Sequence, residues 1–548
     1  MKKYLSEFID SIEHTLTSDS DISKIQVDSL VFDSRQVKPG SLFFALPGTH
    51  TTGNRFIASA VKNGAVAVVY EGELSEEEKK NAEEARGNRN VAFIKVKSSR
   101  FAMSPMSADF YDHPSKKLVV YGVTGTEGKS STVAFIWQLL RLSGFKAGFI
   151  STVQYSLGGE AIANPEHQTT PEATIVQREL YEMVQNGCTH AVVESSSHGL
   201  SKKTNRLGDV LFDCGVFMNV TLEHLEFHGT YEQYKSDKAN LFRALDTHDH
   251  IKNINGRETK IPSLGIVNLE DPAAVYFAGA TSQKTIGFTT EGKAGKNAVE
   301  NKSDLPAIPD EMDCYCAKNI LSTAKDISFD LCSVKNSVGA SASVLSPVPG
   351  AFNAYNVTAA IIAVSETTGK SLGELSDLCR NLESVKGRMT VIDEGQPFEV
   401  IVDYAHTPSS FETIFPPIRK RCHGKMICVF GSGGERDTTK RPLQGEIAAD
   451  FCDVVILANE DPRGEDEMAL LEDIAVGSRK AGKTDGKNLF LIPDRPSAIR
   501  KAFDIAQKGD IVLLLGKSHE NSIIFKDYIM PYDEISEAKK ALSLLQEK

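Results

Sequence analysis

Short apolar runs separated by polar and glycine-rich turns organise this chain. In the C-terminal third four such runs, 400–402, 427–430, 454–457 and 511–515, each end in a polar or glycine-rich loop. Fully apolar short runs are typical of strands in a parallel sheet that is covered on both faces. In such sheets the ligand crevice lies at the carboxyl ends of the strands. The pattern therefore predicts an α/β fold whose functional residues follow the strands.

The middle of the chain shows the same alternation of strands and helices. A strand is predicted at 118–121 and is followed by a glycine-rich turn and a helix, whose apolar residues Val133, Ile136, Trp137 and Leu140 have the spacing i, i+3, i+4, i+7. Two further strands are predicted at 191–193 and 215–217. Strands that alternate with helices favour a parallel sheet.

The N-terminal part has shorter elements. The run 42–46 follows a turn at Pro39 and Gly40 and predicts a strand, whereas the charge-dense stretch 75–86 predicts a polar helix. The pattern breaks near 111–114, and a Pro/Ser/Gly-rich passage at 346–350 marks a second break. We therefore predict three domains, at 1–113, 114–346 and 347–548. Residues 251–345 give no readable pattern.

Length and charge narrow the classes of function. At about 150 residues per domain, 548 residues suggest three or four domains, and a hydrophobic fraction of 41% suffices for ordinary cores. A net charge of −12 argues against binding of nucleic acid through bulk electrostatics. No apolar run suggests a signal peptide or a membrane span, and the nine cysteines form no Cys-x-x-Cys pair. We expect a cytoplasmic protein without membrane insertion.

The glycine-rich turn is the main chemical signal. Gly122–Ser130 follows a strand and opens a helix, which is the context of a phosphate-binding loop. Backbone N–H groups and the helix N-terminus would face phosphate oxygens, with Lys129 at the terminal phosphates and the Ser130 hydroxyl at Mg²⁺. The strict pattern is not met, because its first glycine position is Val123. The bland alternative is a turn that only joins strand to helix.

A carboxylate follows the strand at 191–193. Glu194 lies at the carboxyl end of that strand, beside the glycine-rich turn, where an oxygen ligand for Mg²⁺ is expected. His198 follows four residues later and, taken alone, is better explained as a buried structural histidine. Lys238, taken alone, is better explained as a surface lysine on an amphipathic helix.

These motifs resemble those of the Mur ligase family. Gly-Thr-x-Gly-Lys-[Ser/Thr] is the phosphate loop of that family and of its folylpolyglutamate synthetase relatives, and Glu127 stands where those enzymes usually carry Asn. Glu194 begins the family's Glu-x-Ser-Ser-His motif, and residues 217–230 resemble its Asn…His-Leu-Asp-x-His-Gly motif. Asp33-Ser34-Arg35, followed by Pro39-Gly40, resembles the uridine-nucleotide domain of the tripeptide-synthesising (MurE-type) branch.

The resemblance implies roles for residues of the central domain. Glu194 would bind Mg²⁺ with His198 nearby, Asn219 would contact adenine, and His224 would bind a second Mg²⁺. Lys238 lies ten residues past His228, the spacing at which most Mur ligases carry a lysine carbamylated by CO₂. A carbamate would turn that cation into an anionic oxygen ligand.

In the third domain the resemblance implies contacts to ATP and to the incoming amino acid. Arg388 would reach the nucleotide and Asp403 a ribose hydroxyl, once the domain has rotated inward. Arg436 would hold a carboxylate of the amino acid. The selecting loop is mixed, because Glu460 and Asp461 suit an ammonium group whereas Arg463 suits a second carboxylate.

The predicted site residues fall into four groups. The catalytic group is Lys129, Glu194, His198, His224 and Lys238. The nucleotide-binding group is Thr124, Gly125, Thr126, Glu127, Gly128, Lys129, Ser130, Ser131, Asn219, Asn353, Asn356, Arg388 and Asp403. The substrate-binding group is Ser34, Thr169, Thr170, Ser196, Arg206, Arg436, Glu460, Asp461, Arg463, Gly516 and Glu520. The metal ligands are Ser130, Glu194, His224 and Lys238.

The resemblance implies a ligase that uses ATP, two Mg²⁺ ions and a carbamylated lysine. It would join a diamino acid to UDP-MurNAc-L-Ala-D-Glu through an acyl phosphate, with lysine or ornithine favoured over meso-diaminopimelate, and would act as a monomer. Three alternatives stay open: a folylpolyglutamate synthetase-like ligase, a P-loop ATPase that is not a ligase, and a non-catalytic binding protein descended from the ligase.

Overall fold

Three β-sheets, one in each third of the chain, form the framework of the protein. The computed structural model describes residues 1–48, 52–164, 168–221, 223–290, 312–333 and 341–546. Within these residues no helix is long and apolar enough to cross a membrane.

The first sheet is mixed and has five strands, in the order β2-β7-β6-β5-β4. β4 to β7 run parallel and β2 joins β7 antiparallel. Its strands are β2 (His14–Leu16), β4 (Ser29–Val31), β5 (Ser41–Phe44), β6 (Ala67–Glu71) and β7 (Ala92–Val96), and β1 (Lys3–Tyr4) pairs with β3 (Gln26–Val27) beside it. The helices are α1 (Ile57–Lys62), α2 (Glu76–Arg86) and α3 (Ser99–Phe110).

The second sheet has eleven strands, in the order β11-β10-β9-β12-β8-β13-β16-β17-β18-β19-β20. The seven adjacent strands from β9 to β18 in this order are parallel to one another, and antiparallel strands extend both edges of the sheet. Its strands are β8 (Val119–Thr124), β9 (Ala147–Ile150), β10 (Gln154–Ser156), β11 (Ile162–Ala163), β12 (His190–Glu194), β13 (Cys214–Phe217), β16 (Leu264–Asn268), β17 (Lys284–Thr290), β18 (Asp313–Ser322), β19 (Ile327–Ser333) and β20 (Ser341–Ser346), and β14 (Ile251–Ile254) pairs with β15 (Arg257–Lys260) in a separate hairpin.

Helices cover both faces of this sheet. They are α4 (Lys129–Leu142), α5 (Ala173–Gln185), α6 (Ser197–Leu200), α7 (Leu225–His228), α8 (Tyr231–Ala244), α9 (Ala274–Ala278), α10 (Asn353–Thr368) and α11 (Leu372–Leu378). The apolar residues of α4 and α10 belong to one core cluster with the sheet, which continues to Leu382. The sequence placed α10 in the third domain; from this packing we propose a domain boundary after Leu382 instead of 346.

The third sheet has six strands, in the order β21-β22-β26-β23-β24-β25. All neighbours are parallel except β21 with β22. Its strands are β21 (Thr390–Ile392), β22 (Glu399–Asp403), β23 (Met426–Phe430), β24 (Val454–Leu457), β25 (Leu489–Leu491) and β26 (Ile511–Leu515), with a hairpin of β27 (Ser522–Ile524) and β28 (Ile529–Pro531). The helices are α12 (Pro408–Arg421), α13 (Lys440–Phe451), α14 (Glu467–Lys480), α15 (Arg495–Ile505) and α16 (Glu534–Gln546).

The α/β fold predicted from the apolar runs is confirmed. The strand of the central domain that precedes the glycine-rich turn is β8, and the four runs of the C-terminal third are β22, β23, β24 and β26. The middle strands of the central sheet are parallel, as predicted, and antiparallel strands extend both of its edges. The segment 251–345, whose sequence gave no readable pattern, contributes β16 to β20, and these strands extend the sheet on one side.

Candidate functional site

The glycine-rich turn joins β8 to α4 and is braced by Asn219. The Asn219 side chain accepts hydrogen bonds from the backbone N–H groups of Thr126 (3.0 Å) and Glu127 (2.8 Å) and donates one to the Glu127 carbonyl (3.3 Å). The sequence placed this residue at adenine. In the structure its amide engages the loop backbone, and the contact to adenine stays a prediction.

Glycine is required where the loop meets α10. Gly128 has a φ of +83°, and a Cβ added there would lie 2.6 Å from Oδ1 of Asn356. Asn356 Nδ2 in turn donates to Oδ1 of Asn353 (2.8 Å). Asn356 therefore lies against Gly128, and Asn353 holds its side chain in place. Both side chains are buried.

Glu194 lies beside the loop at the end of β12. Its carboxylate accepts hydrogen bonds from the hydroxyls of Ser130 (3.0 Å) and Thr152 (3.0 Å), from the Thr152 backbone N–H (2.9 Å) and from the Ser151 hydroxyl. Sequence reasoning missed Ser151 and Thr152, which follow β9. The adjacent oxygens of Ser130 and Glu194 are the hard donors that Mg²⁺ prefers, so the residues present fit that ion.

Two lysines donate to the carbonyls of the same loop. Lys129 Nζ lies 2.9 Å from the Thr126 carbonyl, and Lys238 Nζ lies 2.6 Å from the Gly125 carbonyl. Lys238 is 2% exposed, which rules out the surface lysine that its isolated sequence signal favoured. Burial, and next the charge of Lys129, lower the pKa of Lys238 well below its ordinary value.

Three histidine rings of the second domain lie together and form a histidine cluster. The His198 ring is 4.9 Å from that of His224 and 5.3 Å from that of His228. Burial, and next the neighbouring imidazoles, lower the pKa of His198 to about 3, so it is neutral at pH 7. His224 contacts the carboxylates of Glu226 (3.5 Å) and Glu223 (3.7 Å).

The third domain contributes Arg388 and Asp403 to the same region. Arg388 Nη2 lies 3.4 Å from the Ser130 hydroxyl, and its guanidinium stacks over Tyr404 at 4.7 Å. Asp403 accepts hydrogen bonds from the N–H groups of Met389 (2.7 Å) and Ala405 (2.8 Å), and burial raises its pKa. The loop and these residues enclose a cavity of about 60 Å³, whose lining includes Gly128, Ser130, Ser131, Phe352, Asn356, Arg388, Asp403 and Ile414.

A larger cavity of about 620 Å³ lies between the second and third domains. Its lining combines Glu223, His224 and Glu226 of the second domain with Arg436, Lys440, Glu460, Asp461, Arg463 and Glu520 of the third. The carboxyl ends of β23, β24 and β26 place these third-domain side chains, as the parallel-sheet rule predicts. The structure thus brings the residues predicted to bind the amino acid close to Glu223 and Glu226, the two carboxylates that contact His224.

Lys517 is a part of this cavity region that sequence reasoning missed. Its Nζ lies 2.9 Å from Oδ1 of Asp461 and also contacts the Glu520 carboxylate. Asp461 and Glu520 therefore already share a buried cation, which weakens their predicted roles as partners of a substrate ammonium group. The Gly516-Lys517 pair after β26 is visible in the sequence, but the contacts of Lys517 become apparent only in the folded structure.

Glu460 and Arg463 remain as candidate selectors in the cavity. Oε2 of Glu460 is buried and has no hydrogen-bond partner among the described residues, and the same holds for Nε of Arg463. A Cβ at Gly516 would lie 2.8 Å from Oε2 of Glu460, so glycine leaves room for that carboxylate. Arg436, which is exposed, also lines the cavity.

The residues predicted to bind the sugar-nucleotide peptide are more dispersed. Thr170 accepts a hydrogen bond from the Ser196 N–H (3.0 Å) and donates to the Glu194 carbonyl (2.8 Å), and Thr169 precedes it at the cavity wall. Arg206 donates to the Thr170 carbonyl (2.8 Å) and to Glu172 (2.9 Å). Ser34 lies in a short 3₁₀ turn after β4.

Comparison with known proteins gives three domain matches in chain order. Residues 26–111 match "Mur ligase family, catalytic domain", 123–364 match "Mur ligase middle domain", and 387–518 match "Mur ligase, glutamate ligase domain". A UDP-N-acetylmuramyl-tripeptide synthetase of Treponema denticola is 51% identical over 98% of each chain. A UDP-N-acetylmuramoyl-L-alanyl-D-glutamate–2,6-diaminopimelate ligase of Geobacillus thermodenitrificans is 35% identical over 94% of each chain.

Solved structures agree with the fold. A UDP-N-acetylmuramoyl-L-alanyl-D-glutamate–2,6-diaminopimelate ligase matches 100% of each chain with a TM-score of 0.59 and 26% identity. The MurF ligase of Thermotoga maritima in complex with ADP matches 95% of this chain and 99% of its own, with a TM-score of 0.60 and 18% identity, and so supports the fold alone. The chain belongs to the Mur ligase family and is a MurE-type, ATP-dependent peptide ligase.

Proposed function

We propose that this enzyme adds a diamino acid to the peptide carboxylate of UDP-MurNAc-L-Ala-D-Glu in the synthesis of the peptidoglycan precursor. The observation that carries the proposal is the cavity of about 620 Å³, whose lining combines Arg436, Glu460 and Arg463 of the third domain with Glu223, His224 and Glu226 of the second. An amino acid held there would face a carboxylate activated at the loop.

The reaction has two steps in this proposal. The peptide carboxylate attacks the γ-phosphorus of ATP, which gives an acyl phosphate and ADP. The amine of the incoming amino acid then attacks the acyl carbon, and loss of phosphate and a proton leaves the amide. Lys129, the loop N–H groups and Arg388 supply positive charge, since phosphoryl transfer depends mainly on positioning and charge neutralisation. Mg²⁺ held by Ser130 and Glu194 would add to that neutralisation.

Lys238 is proposed to carry a carbamate. CO₂ reacts with a neutral amine, and the buried position of Lys238 favours the neutral form. The amine nitrogen would bond to the carbon of CO₂ and lose a proton, which converts the side chain into an anion beside the phosphate loop. We also propose His224 as a metal ligand, since its ring lies 4.9 Å from that of His198, the residue expected near the metal.

We propose lysine or ornithine as the amino acid that is added. The distal ammonium group would pair with Glu460, whose Oε2 is buried without a partner among the described residues, and Arg436 would hold the α-carboxylate. Asp461 is paired with Lys517, so Glu460 is the carboxylate of this loop that we propose for the ammonium group.

One observation favours meso-diaminopimelate as a second candidate. Arg463 lines the same cavity, and its buried Nε has no hydrogen-bond partner among the described residues. A second carboxylate on the side chain of the amino acid would satisfy that guanidinium.

Neither the folylpolyglutamate alternative nor a non-ligase ATPase is supported. The relatives of high identity are named tripeptide synthetases, whereas a folylpolyglutamate synthase structure shares only the fold, at 12% identity and a TM-score of 0.55. A cytoplasmic monomer that binds neither nucleic acid nor a membrane remains part of the proposal.

The test is ATP turnover by the purified enzyme with UDP-MurNAc-L-Ala-D-Glu and a panel of lysine, ornithine and meso-diaminopimelate. Phosphate release should depend on both the acceptor and the amino acid, and Lys129→Ala should abolish it. Release with diaminopimelate alone would replace our first choice by the second. Equal ATP hydrolysis with and without the acceptor would refute the ligase reaction proposed here.

A further inference from the structure

Glu127 is the residue of the phosphate loop that departs from the usual family pattern, and its side chain crosses to the third domain. Oε1 of Glu127 accepts a hydrogen bond from the hydroxyl of Thr407 at 3.0 Å. The backbone of Glu127 is fixed by the Asn219 amide. The backbone of Glu127 is thus bound within its own domain, and its side-chain carboxylate is the part that contacts the third domain.

Thr407 begins the first long helix of the third domain. It is the N-cap of α12, and its hydroxyl accepts the N–H of Ser410 at 3.1 Å. The N-terminus of an α-helix carries partial positive charge, which a carboxylate stabilises. Glu127 therefore supplies an acceptor oxygen to the N-cap of α12 from the opposite side of the domain interface.

Neighbouring contacts cross the interface at the same place. Nε2 of His406 lies 3.7 Å from the Glu223 carboxylate, and the hydroxyls of Thr221 and Ser409 are 3.2 Å apart. On the other side of the loop, Arg388 reaches Ser130 at 3.4 Å. Glu127 lies between these contacts, where a shorter asparagine side chain would not reach Thr407 without a closer approach of the domains.

Three cationic side chains face Glu127 and offset part of the cost of burying its carboxylate. Burial, and next the charge of Glu223, raise the pKa of Glu127, while His406, Lys129 and Arg388 oppose that rise. The Thr407 hydroxyl gives the carboxylate a donor on the side of the third domain.

We propose that Glu127 is a positioning residue that couples the phosphate loop to the third domain by its hydrogen bond to Thr407, and so stabilises the closed arrangement in which ATP binds. This inference rests on the proposed ligase function only for its kinetic readout. When the closed arrangement is less populated, the apparent affinity for ATP falls in proportion.

The experiment is a double-mutant cycle of Glu127→Asn and Thr407→Val in the full-length enzyme. Each single variant should raise the KM for ATP about tenfold, the scale expected when a buried hydrogen-bonding group loses its partner, with little change in kcat. The double variant should be no worse than Thr407→Val alone, because that substitution already removes the contact to Glu127 together with the N-cap hydrogen bond of α12. Thr407→Ser, which keeps the hydroxyl, should restore a KM close to that of the wild type.

A readout independent of turnover separates this inference from the proposed function. Binding of β,γ-methylene ATP, measured by calorimetry, should weaken to the same extent as KM rises, and small-angle X-ray scattering should show a larger radius of gyration for both single variants without ligand. Thr368→Val, whose hydroxyl bonds within its own helix at 2.6 Å to Val364, is the matched control and should behave like the wild type.

Three outcomes would overturn the coupling. They are additive effects in the double variant, a fall in kcat at unchanged KM, and unchanged scattering and analogue binding in both single variants. Absence of acceptor-dependent phosphate release by the wild type would instead count against the ligase reaction, and would leave the binding and scattering results to decide the role of Glu127.

Discussion

Lys238 is poorly stabilised as an ammonium group. It is buried on α8, where its nitrogen donates to the Gly125 carbonyl and lies 4.6 Å from the centre of the Tyr234 ring, but burial outweighs these contacts and lowers its pKa. Lys129, a second cation, donates to the next carbonyl of the same loop. A buried lysine in such a place favours the neutral amine, which is the form that CO₂ modifies.

We predict that Lys238→Ala slows acceptor-dependent phosphate release by roughly a hundredfold or more, the cost of losing one group that stabilises developing charge. Added formate or acetate should restore part of the rate, because a small carboxylate can occupy the space that a carbamate would fill. The measurement is initial rate against carboxylate concentration.

The matched control for that experiment is Lys235→Ala. Lys235 lies on the same helix and pairs with the exposed Glu232 at 2.6 Å. Its variant should keep the wild-type rate and gain nothing from formate. A Lys238→Ala enzyme that keeps wild-type turnover would exclude a role for the modified lysine.

At the scale of elements, a buried ionic network fixes the start of β13. Asp213 contacts the ring nitrogens of His250 (3.0 Å) and His248 (3.4 Å), and Nζ of Lys252 (3.0 Å), and it also accepts the N–H of Val120 (2.9 Å). The network joins β13 and β8 to the segment that follows α8. It lies at the amino ends of these strands, away from the phosphate loop, and therefore serves stability.

This network predicts a loss of stability in acid. Burial works to raise the pKa of Asp213, but hydrogen bonds from His248 and His250 and the charge of Lys252 outweigh it and lower the pKa to about 2. The stabilisation is therefore present above the ordinary value of 3.8 and is lost as the pH falls towards 2. Burial also lowers the pKa of His248, which weakens the folded state further as the pH falls below 6.5.

Asp213→Asn should destabilise the protein by about 3 kcal/mol or more at pH 7, because it leaves the buried Lys252 without its anion. It should also flatten the change in stability between pH 4 and pH 2 (the range set by the two pKa values). Urea unfolding at several pH values measures both effects. Asp10→Asn, at an exposed position, is the control, and an equally steep acid loss in the Asp213 variant would contradict the assignment.

The sequence was informative where an element has a simple pattern. Fully apolar runs such as 454–457 and 511–515 coincide with β24 and β26, and the polar residues after them line the cavity. The strands β16 to β20 were missed. β18 and β19 mix polar and apolar residues, because the antiparallel edge of the sheet is partly exposed and is not a fully apolar parallel core.

The roles of single residues were less accessible, because they depend on contacts between distant segments. The sequence did not indicate that Asn219 braces the phosphate loop, which lies 92 residues away in the chain. Lys517 pairs with Asp461 across 56 residues, and α10 packs on α4 although the chain enters it after a break in pattern. Local spacing carries no information about such pairings, whereas the order of motifs along the chain does indicate the family.

At the scale of the whole molecule, the second and third domains are joined by a short segment that α4 holds in place. Gln138 on α4 donates from Nε2 to the Glu383 carbonyl (3.0 Å) and accepts the Glu383 N–H on Oε1 (2.7 Å). Glu383 follows Leu382, the last residue of the central core, and precedes Arg388. Because α4 begins at the phosphate loop, one helix connects the loop to the hinge.

We predict that Gln138→Leu loosens this segment without unfolding either domain. Two hydrogen bonds contribute about 1–3 kcal/mol together, so brief opening of the segment, and with it cleavage by trypsin after Lys386, should become roughly tenfold faster. The KM for ATP should rise, since the third domain is held less firmly over the loop. Gln138→Glu keeps the acceptor for the Glu383 N–H and loses the donor, so it should fall between the wild type and Gln138→Leu.

The comparison needs a variant with the same substitution elsewhere and a check on global stability. Gln185→Leu, at an exposed position of α5, should be cleaved at the wild-type rate. The thermal midpoint of Gln138→Leu should stay close to that of the wild type, because the side chain lies on the helix surface and outside the core cluster. Unchanged cleavage after Lys386 would show that the two hydrogen bonds do not hold the hinge. A fall in the midpoint that accounts for the faster cleavage would assign Gln138 to domain stability instead of interdomain coupling.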